Sequence, residues 1–168
     1  RAAQAGLTAL AVTDHDTTDG VAEAAAEGTR VGVRIVAGIE VSSSFEGLDV
    51  HILGIGVDVG RPSLVAALDR LKRSRRERVD RICVALRAVG VELPAGEVLS
   101  EAKGKSVGRK HVARALVRLR VVESIGEAFR RYLSPGQPAH VPANDLRPVD
   151  AARLVREAGG VAVLAHPG

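Results

Sequence analysis

Four residues of metal-ligand type interrupt or end apolar stretches of this chain. His15 lies in Asp14-His15-Asp16, which closes the run Leu7–Thr13, and Glu40 stands within Gly38-Ile39-Glu40-Val41. His51 sits in Asp49-Val50-His51-Ile52-Leu53-Gly54, and His166 follows Val163-Leu164-Ala165 and precedes Pro167. Carboxylates and imidazoles in such surroundings are costly unless hydrogen bonds or a cation satisfy them. Each has an ordinary explanation when taken singly: a hydrogen-bonded histidine, a Glu40–arginine pair, or Asp14 and Asp16 capping the turn that follows. Together they point to a metal site. Mixed His and carboxylate ligation suits Mn²⁺, Fe²⁺ or Zn²⁺, and a carboxylate can bridge two ions.

The elements that must position these residues follow from apolar periodicity. Leu7–Thr13 is predicted as a fully buried strand, being short, apolar and preceded by Gly6. Arg1–Ala5 before it resembles the last turn of a helix closed by a glycine. Asp19 is a plausible N-cap for a helix running to about Val31. Strands are expected at Arg34–Ser43 and Leu48–Val57, joined by a turn at Glu46-Gly47. From Pro62, apolar residues at three- and four-residue spacing (Leu64, Leu68, Leu71, Val79, Ile82, Leu86, Val89) predict one long helix ending at Gly90. Shorter helices are expected over Ala95–Ala102, Gly108–Leu119 and Ser124–Tyr132. A Pro-punctuated loop then leads to a helix over Pro148–Ala158 and a strand over Val161–Ala165. The expected class is α/β, with a barrel-type core (1–58 and 144–168) interrupted by an all-helical insertion (59–143). In such sheets ligands bind at the carboxyl ends of strands, where the Asp14–Asp16 run emerges.

Composition narrows the function classes. The chain has 168 residues and a single cysteine, Cys83, which excludes an internal disulfide framework and cysteine-cluster metal sites. That usage fits a reducing cytoplasm, and no disulfide-linked partner is expected. No apolar run approaches the length of a membrane span, so no membrane partner is expected either. Residues 59–143 carry 18 Lys and Arg against 8 Asp and Glu, whereas the remainder carries 6 against 12. The acidic part suits cation binding and the basic part suits anionic partners. Arg73, Arg75, Arg76, Arg78 and Arg81 crowd the long helix and could attract a nucleotide or short RNA. An exposed charged face, with Glu77 and Asp80 forming local pairs, is the competing explanation. The only aromatics, Phe45, Phe129 and Tyr132, offer little stacking, which favours a mononucleotide or very short substrate. The lack of methionine and the βα pattern cut at both ends lead to the expectation of a fragment.

Thr13-Asp14-His15-Asp16-Thr17, Gly38-Ile39-Glu40-Val41-Ser42, His51-Ile52-Leu53-Gly54 and Ala165-His166-Pro167 resemble successive motifs of the polymerase and histidinol phosphatase (PHP) superfamily. Val107-Gly108-Arg109-Lys110-His111-Val112-Ala113-Arg114 and the stretch from Tyr132 to Pro142 resemble the helical insertion of one branch. That branch contains the 3′,5′-nucleoside bisphosphate phosphatases and a 5′-to-3′ exoribonuclease acting on short RNAs. The resemblance implies an incomplete PHP-type distorted (β/α)7 barrel. It implies phosphoester hydrolysis by a hydroxide held between divalent ions, three in a complete protein, with Mn²⁺ first and Zn²⁺ or Fe²⁺ as alternatives.

By the same resemblance Glu40 is a bridging carboxylate, His51 and His166 ligate one of the bridged ions, and His15 ligates a third. Asp14 and Asp16 would orient ligands or shape the catalytic loop. Arg109, His111 and Arg114 would contact substrate phosphate, the arginines through bidentate contacts; a solvated basic helix is the plainer reading. Lys110 replaces the branch's usual proline, and His140 its usual aromatic. A His-x-His strand with a following aspartate and a late Asp-x-His motif are missing, so impaired or absent activity is expected of these 168 residues alone. Two other functions compete: a non-catalytic nucleotide-binding or polymerase-associated module, and a phosphomonoesterase of the histidinol-phosphatase type.

Overall fold

A computed structural model describes residues 1–102, 106–142 and 146–167. The chain forms two compact units, Arg1–Leu71 with Asn144–Gly168, and Lys72–Ala143. The expected boundary at 143–144 lies outside the described residues.

The first unit is a mixed α/β layer. A short 3-10 turn, Ala3–Ala5, closes on Gly6, and the strands are β1 (Ala9–Val12), β2 (Arg34–Phe45), β3 (Leu48–Ile55) and β4 (Val161–Leu164) in the spatial order β1-β2-β3-β4. Helix α1 (Val21–Val31) carries the chain from β1 to β2, so that these two run parallel. Strands β2, β3 and β4 pair antiparallel. The turn at Glu46-Gly47 is the reason for the change of sense: both residues have positive φ (50° and 82°), the two-residue hairpin geometry that matches strand twist.

The inner face of β2 and β3, with Ile39, Val41 and Ile52, packs against Leu64, Leu68 and Leu71 of α2 (Pro62–Ala88) and Leu154 and Val155 of α6 (Pro148–Glu157). Gly38 is needed where three strands converge, because a Cβ there would lie 2.8 Å from Gly54 O and 2.9 Å from Val12 O.

Three expectations are corrected. The first strand is shorter than Leu7–Thr13 and is not fully buried: Leu7 is 47% and Leu10 40% exposed. It lies at one end of the strand order, and β4 at the other end is likewise largely exposed. Apolarity in sequence reports a preference for burial, not whether a neighbour is there to provide it. The cap of α1 is Gly20 rather than Asp19, because Asp19 N donates to Thr17 Oγ1 in a tight turn and Val21 N donates to Thr18 O. The helix expected over Ser124–Tyr132 is two pieces: α5 (Ile125–Ala128), capped by Ser124, and a π-helical turn, Phe129–Leu133, with Ser134 N donating to Phe129 O.

The second unit is helical. The same apolar stripe of α2 continues as Val79, Ile82 and Leu86, which pack with Val98 of α3 (Ala95–Ala102), Val112 and Leu116 of α4 (Arg109–Arg118), and Leu133. Arg118 ties α4 to α3 through ion pairs with Glu97 and Glu101. Two arginines of α2 hold loops of this unit: Arg75 Nη1 donates to Val107 O at 3.2 Å and Arg78 Nε to Val141 O at 2.9 Å.

Candidate metal centre

β-Sheet registry assembles the centre. Past the end of β1 the chain keeps step with β2: Glu40 N donates to Asp14 O and Asp16 N donates to Glu40 O, both at 3.0 Å, which sets His15 beside Glu40. Glu40 and Ser42 share a face of β2, since side chains alternate along a strand. His51 is the cross-strand partner of Ser42 and joins that face. Ala165 N donates to His51 O at 3.0 Å, so the chain leaving β4 delivers His166 to the same place. His166 has φ 30°, a conformation unfavourable for a non-glycine residue before proline.

Three imidazoles surround one carboxylate. Glu40 Oε1 lies 3.0 Å from His51 Nδ1 and 3.3 Å from His166 Nε2, and those two nitrogens are 3.1 Å apart. Glu40 Oε2 faces His15 Nε2 at 3.8 Å. The His51 ring stands edge-on to both His15 and His166, with centroids 4.8 and 5.1 Å away. Side-chain exposure rises from 15% for Glu40 and 23% for His51 to 51% for His15 and 69% for His166, so the cluster opens to solvent on its histidine side.

The donor set fits a divalent cation. Ligands about 2.1 Å from one ion stand about 3.0–3.4 Å from each other in octahedral or tetrahedral geometry. The Glu40–His51–His166 triangle has edges in that range. His15, Glu40 and His51 also offer ligand atoms that all lie within 4.8 Å of one another.

The aspartates take other positions. Asp14 is exposed and meets Glu40 through its backbone carbonyl. Asp16 is fully buried, and its Oδ1 accepts a 2.7 Å hydrogen bond from Ser42 N. Among the described residues, neither carboxylate belongs to the ligand group.

Arg109, His111 and Arg114 fall in the second unit, on α4. His111 Nδ1 accepts from Gly108 N at 3.1 Å and so closes the start of this helix. Burial, followed by the positive charge of Arg114, lowers the pKa of this imidazole. A neutral His111 accepting at Nδ1 carries its proton on Nε2, available to an anion. Arg109 and His140 are half-buried, whereas Arg114 and Lys110 are exposed. Sequence reasoning missed the buried Ser42 and the loop-holding roles of Arg75 and Arg78. The two-residue spacing of Ser42 from Glu40 was a signal for the first; no local signal exists for the others.

Among the described residues no helix is long and apolar enough to cross a membrane. No family model matches the chain. It is 39% identical over 169 residues to a 3′,5′-nucleoside bisphosphate phosphatase of Chromobacterium violaceum, covering 100% of this chain and 59% of that protein. It is 36% identical over 167 residues to a 5′-3′ exoribonuclease of Haemophilus influenzae, covering 99% of this chain and 61% of that protein. The solved structure of a proposed metal-dependent phosphoesterase from Bifidobacterium adolescentis superposes with a TM-score of 0.89 at 29% identity, over 99% of this chain and 59% of the other. The chain thus spans about three fifths of the length of these relatives.

Proposed function

The chain is homologous over its whole length to the branch holding 3′,5′-nucleoside bisphosphate phosphatases and 5′-3′ exoribonucleases, and from that premise we propose that it belongs to a metal-dependent phosphoesterase of the PHP superfamily. The substrate class is a 3′,5′-nucleoside bisphosphate or a short 5′-phosphorylated RNA. One observation carries the reading: the two oxygens of Glu40 face separate imidazole sets, Oε1 toward His51 and His166 and Oε2 toward His15. That division suits a carboxylate set among divalent ions: His51 and His166 would hold one together with Glu40 and His15 would hold a further one, Mn²⁺ first among the candidates. Divalent ions so held supply charge neutralisation at phosphoryl oxygens and acidify water at neutral pH.

The chain's own residues do the rest. Glu40 keeps the ligands at fixed spacing from a strand buried on its other face. Asp14 and Asp16 fix the turn that carries His15. On α4 of the second unit, Arg109, Arg114 and the Nε2–H of His111 offer donors suited to a phosphate group of the substrate.

The test is phosphate release from an adenosine 3′,5′-bisphosphate by the full-length parent with Mn²⁺ present. Glu40→Gln abolishes release, and Arg109→Ala weakens it mainly through KM. No phosphate from this or any other nucleotide would overturn the reading.

A further inference from the structure

Registry between β1 and β2 contains one rung that the main chain does not make. Arg34 N donates to Thr8 O and Glu40 N to Asp14 O, each acceptor 26 residues before its donor. The next rung of the same ladder runs from Ser42 N, again 26 residues on, but its acceptor is the side-chain Oδ1 of Asp16 at 2.7 Å. At Asp16 the backbone has turned to φ 51° and its carbonyl has left the ladder. The carboxylate takes the carbonyl's place in a fully buried position. Asp is among the few side chains that tolerate this backbone region, and it brings an acceptor that glycine lacks.

We infer that Asp16 is the positioning residue of the metal centre: its side-chain oxygen stands in for a strand carbonyl, extends the β1–β2 registry past the point where the chain turns away, and so holds His15 Nε2 against Glu40 Oε2. The inference rests on the metal-centre reading above. It assigns Asp16 neither ligation nor proton transfer. What the residue provides is the rung beyond the two main-chain bonds that flank His15, while His51 and His166 are placed by β3 and β4 and do not depend on it.

Two substitutions separate oxygen, charge and backbone. Asp16→Gly keeps the positive φ and removes the acceptor; Asp16→Asn keeps both the acceptor and the shape but removes the charge. Mn²⁺ binding to the full-length protein is measured by calorimetry for both, beside His15→Ala, with thermal melting to establish that each variant is folded. Asp16→Gly is expected to match His15→Ala, with the ion that depends on His15 weakened about ten- to a hundredfold and the His51/His166 ion retained. Asp16→Asn is expected to bind as the wild type does. A folded Asp16→Gly that binds like wild type overturns the inference, and so does an Asp16→Asn that fails like His15→Ala, because charge and not the rung would then be needed. If the wild type binds no Mn²⁺, the metal reading itself falls. A crystal structure of Asp16→Gly then decides the positioning role: His15 released from Glu40 supports it, and an unchanged His15–Glu40 approach overturns it.

Discussion

Gly38→Ala is the mildest substitution that strains the frame of the metal centre without touching a ligand. An added Cβ would lie 2.8 Å from Gly54 O, 2.8 Å from Thr13 Cγ2 and 2.9 Å from Val12 O. Ordinary C···O approaches are about 3.3–3.6 Å, so the overlap is about half an ångström or more against carbonyls of both neighbouring strands. β2 has no direction in which to retreat. Overpacking of this kind costs about 1–3 kcal/mol, only partly offset by the ~0.4–1 kcal/mol that Ala gains over Gly through the unfolded chain. Gly54→Ala is the cross-strand counterpart, because its Cβ would meet Val155 Cγ2, Ile39 Cγ2 and Val57 Cγ1 at 2.9–3.0 Å, methyls of stiff β-branched side chains in the buried core, and so overpacks as well. Chemical denaturation should therefore place both variants below wild type, by about 1–3 kcal/mol each. Thr13 is two residues before His15 and Gly38 two before Glu40, so relaxation at the clash also spreads these ligands apart. Mn²⁺ affinity should fall about tenfold in Gly38→Ala, the scale on which misplaced supporting groups act. A Gly38→Ala protein with wild-type stability and affinity would refute the argument.

The His111 imidazole is held below its ordinary pKa of 6.5 by burial first and Arg114 second. Unfolding then takes up a proton, so the stabilisation is complete above pH 6.5 and diminishes as pH falls below it; melting temperatures from pH 8 to 5 should decline less steeply in His111→Gln, and equal slopes would contradict this. Burial, with Asp80 adding to it and Arg87 opposing it, raises the pKa of the Cys83 thiol above 9.0. Alkylation by iodoacetamide at pH 8 should consequently be slower in the native protein than in denaturant, and equal rates would exclude the assignment.

Much of the centre was legible because ligand-type residues in apolar strands are conspicuous. His15, Glu40, His51 and His166 all announce themselves by local contrast, and local contrast survives in sequence. Registry does not. That His51 stands opposite Ser42 and not opposite Glu40 follows from the turn at Glu46-Gly47, whose two positive φ values fix the pairing. Arg75 and Arg78 read as members of a basic run, yet their partners are carbonyls 32 and 63 residues away. The supposed burial of Leu7–Thr13 failed for the same reason, since exposure at β1 depends on which strands flank it. Periodicity found α2, α3 and α4 within a residue or two, as where Leu64 to Leu86 of α2 repeat at helical spacing along one stripe. It could not detect the widening at Phe129–Leu133, where the hydrogen bond lengthens by one residue while the side chains keep much the same pattern.

Backbone strain gives a separate reason to regard the cluster as functional. Among the described residues four non-glycine residues have positive φ: Asp16, Glu46, Arg120 and His166. Glu46 is explained by its hairpin turn, but Asp16 and His166 both belong to the centre. Such conformations cost about 1–3 kcal/mol each when nothing relieves them. Glycine would remove the cost at either position. At Asp16 it would also remove the oxygen that receives Ser42 N, and at His166 the nitrogen that lies 3.3 Å from Glu40. A packing role does not explain His166, whose side chain is 69% exposed and buries little apolar surface. Its contacts with Glu40 and His51 are the only return on the strain that the described residues offer, and a shared cation would enlarge that return.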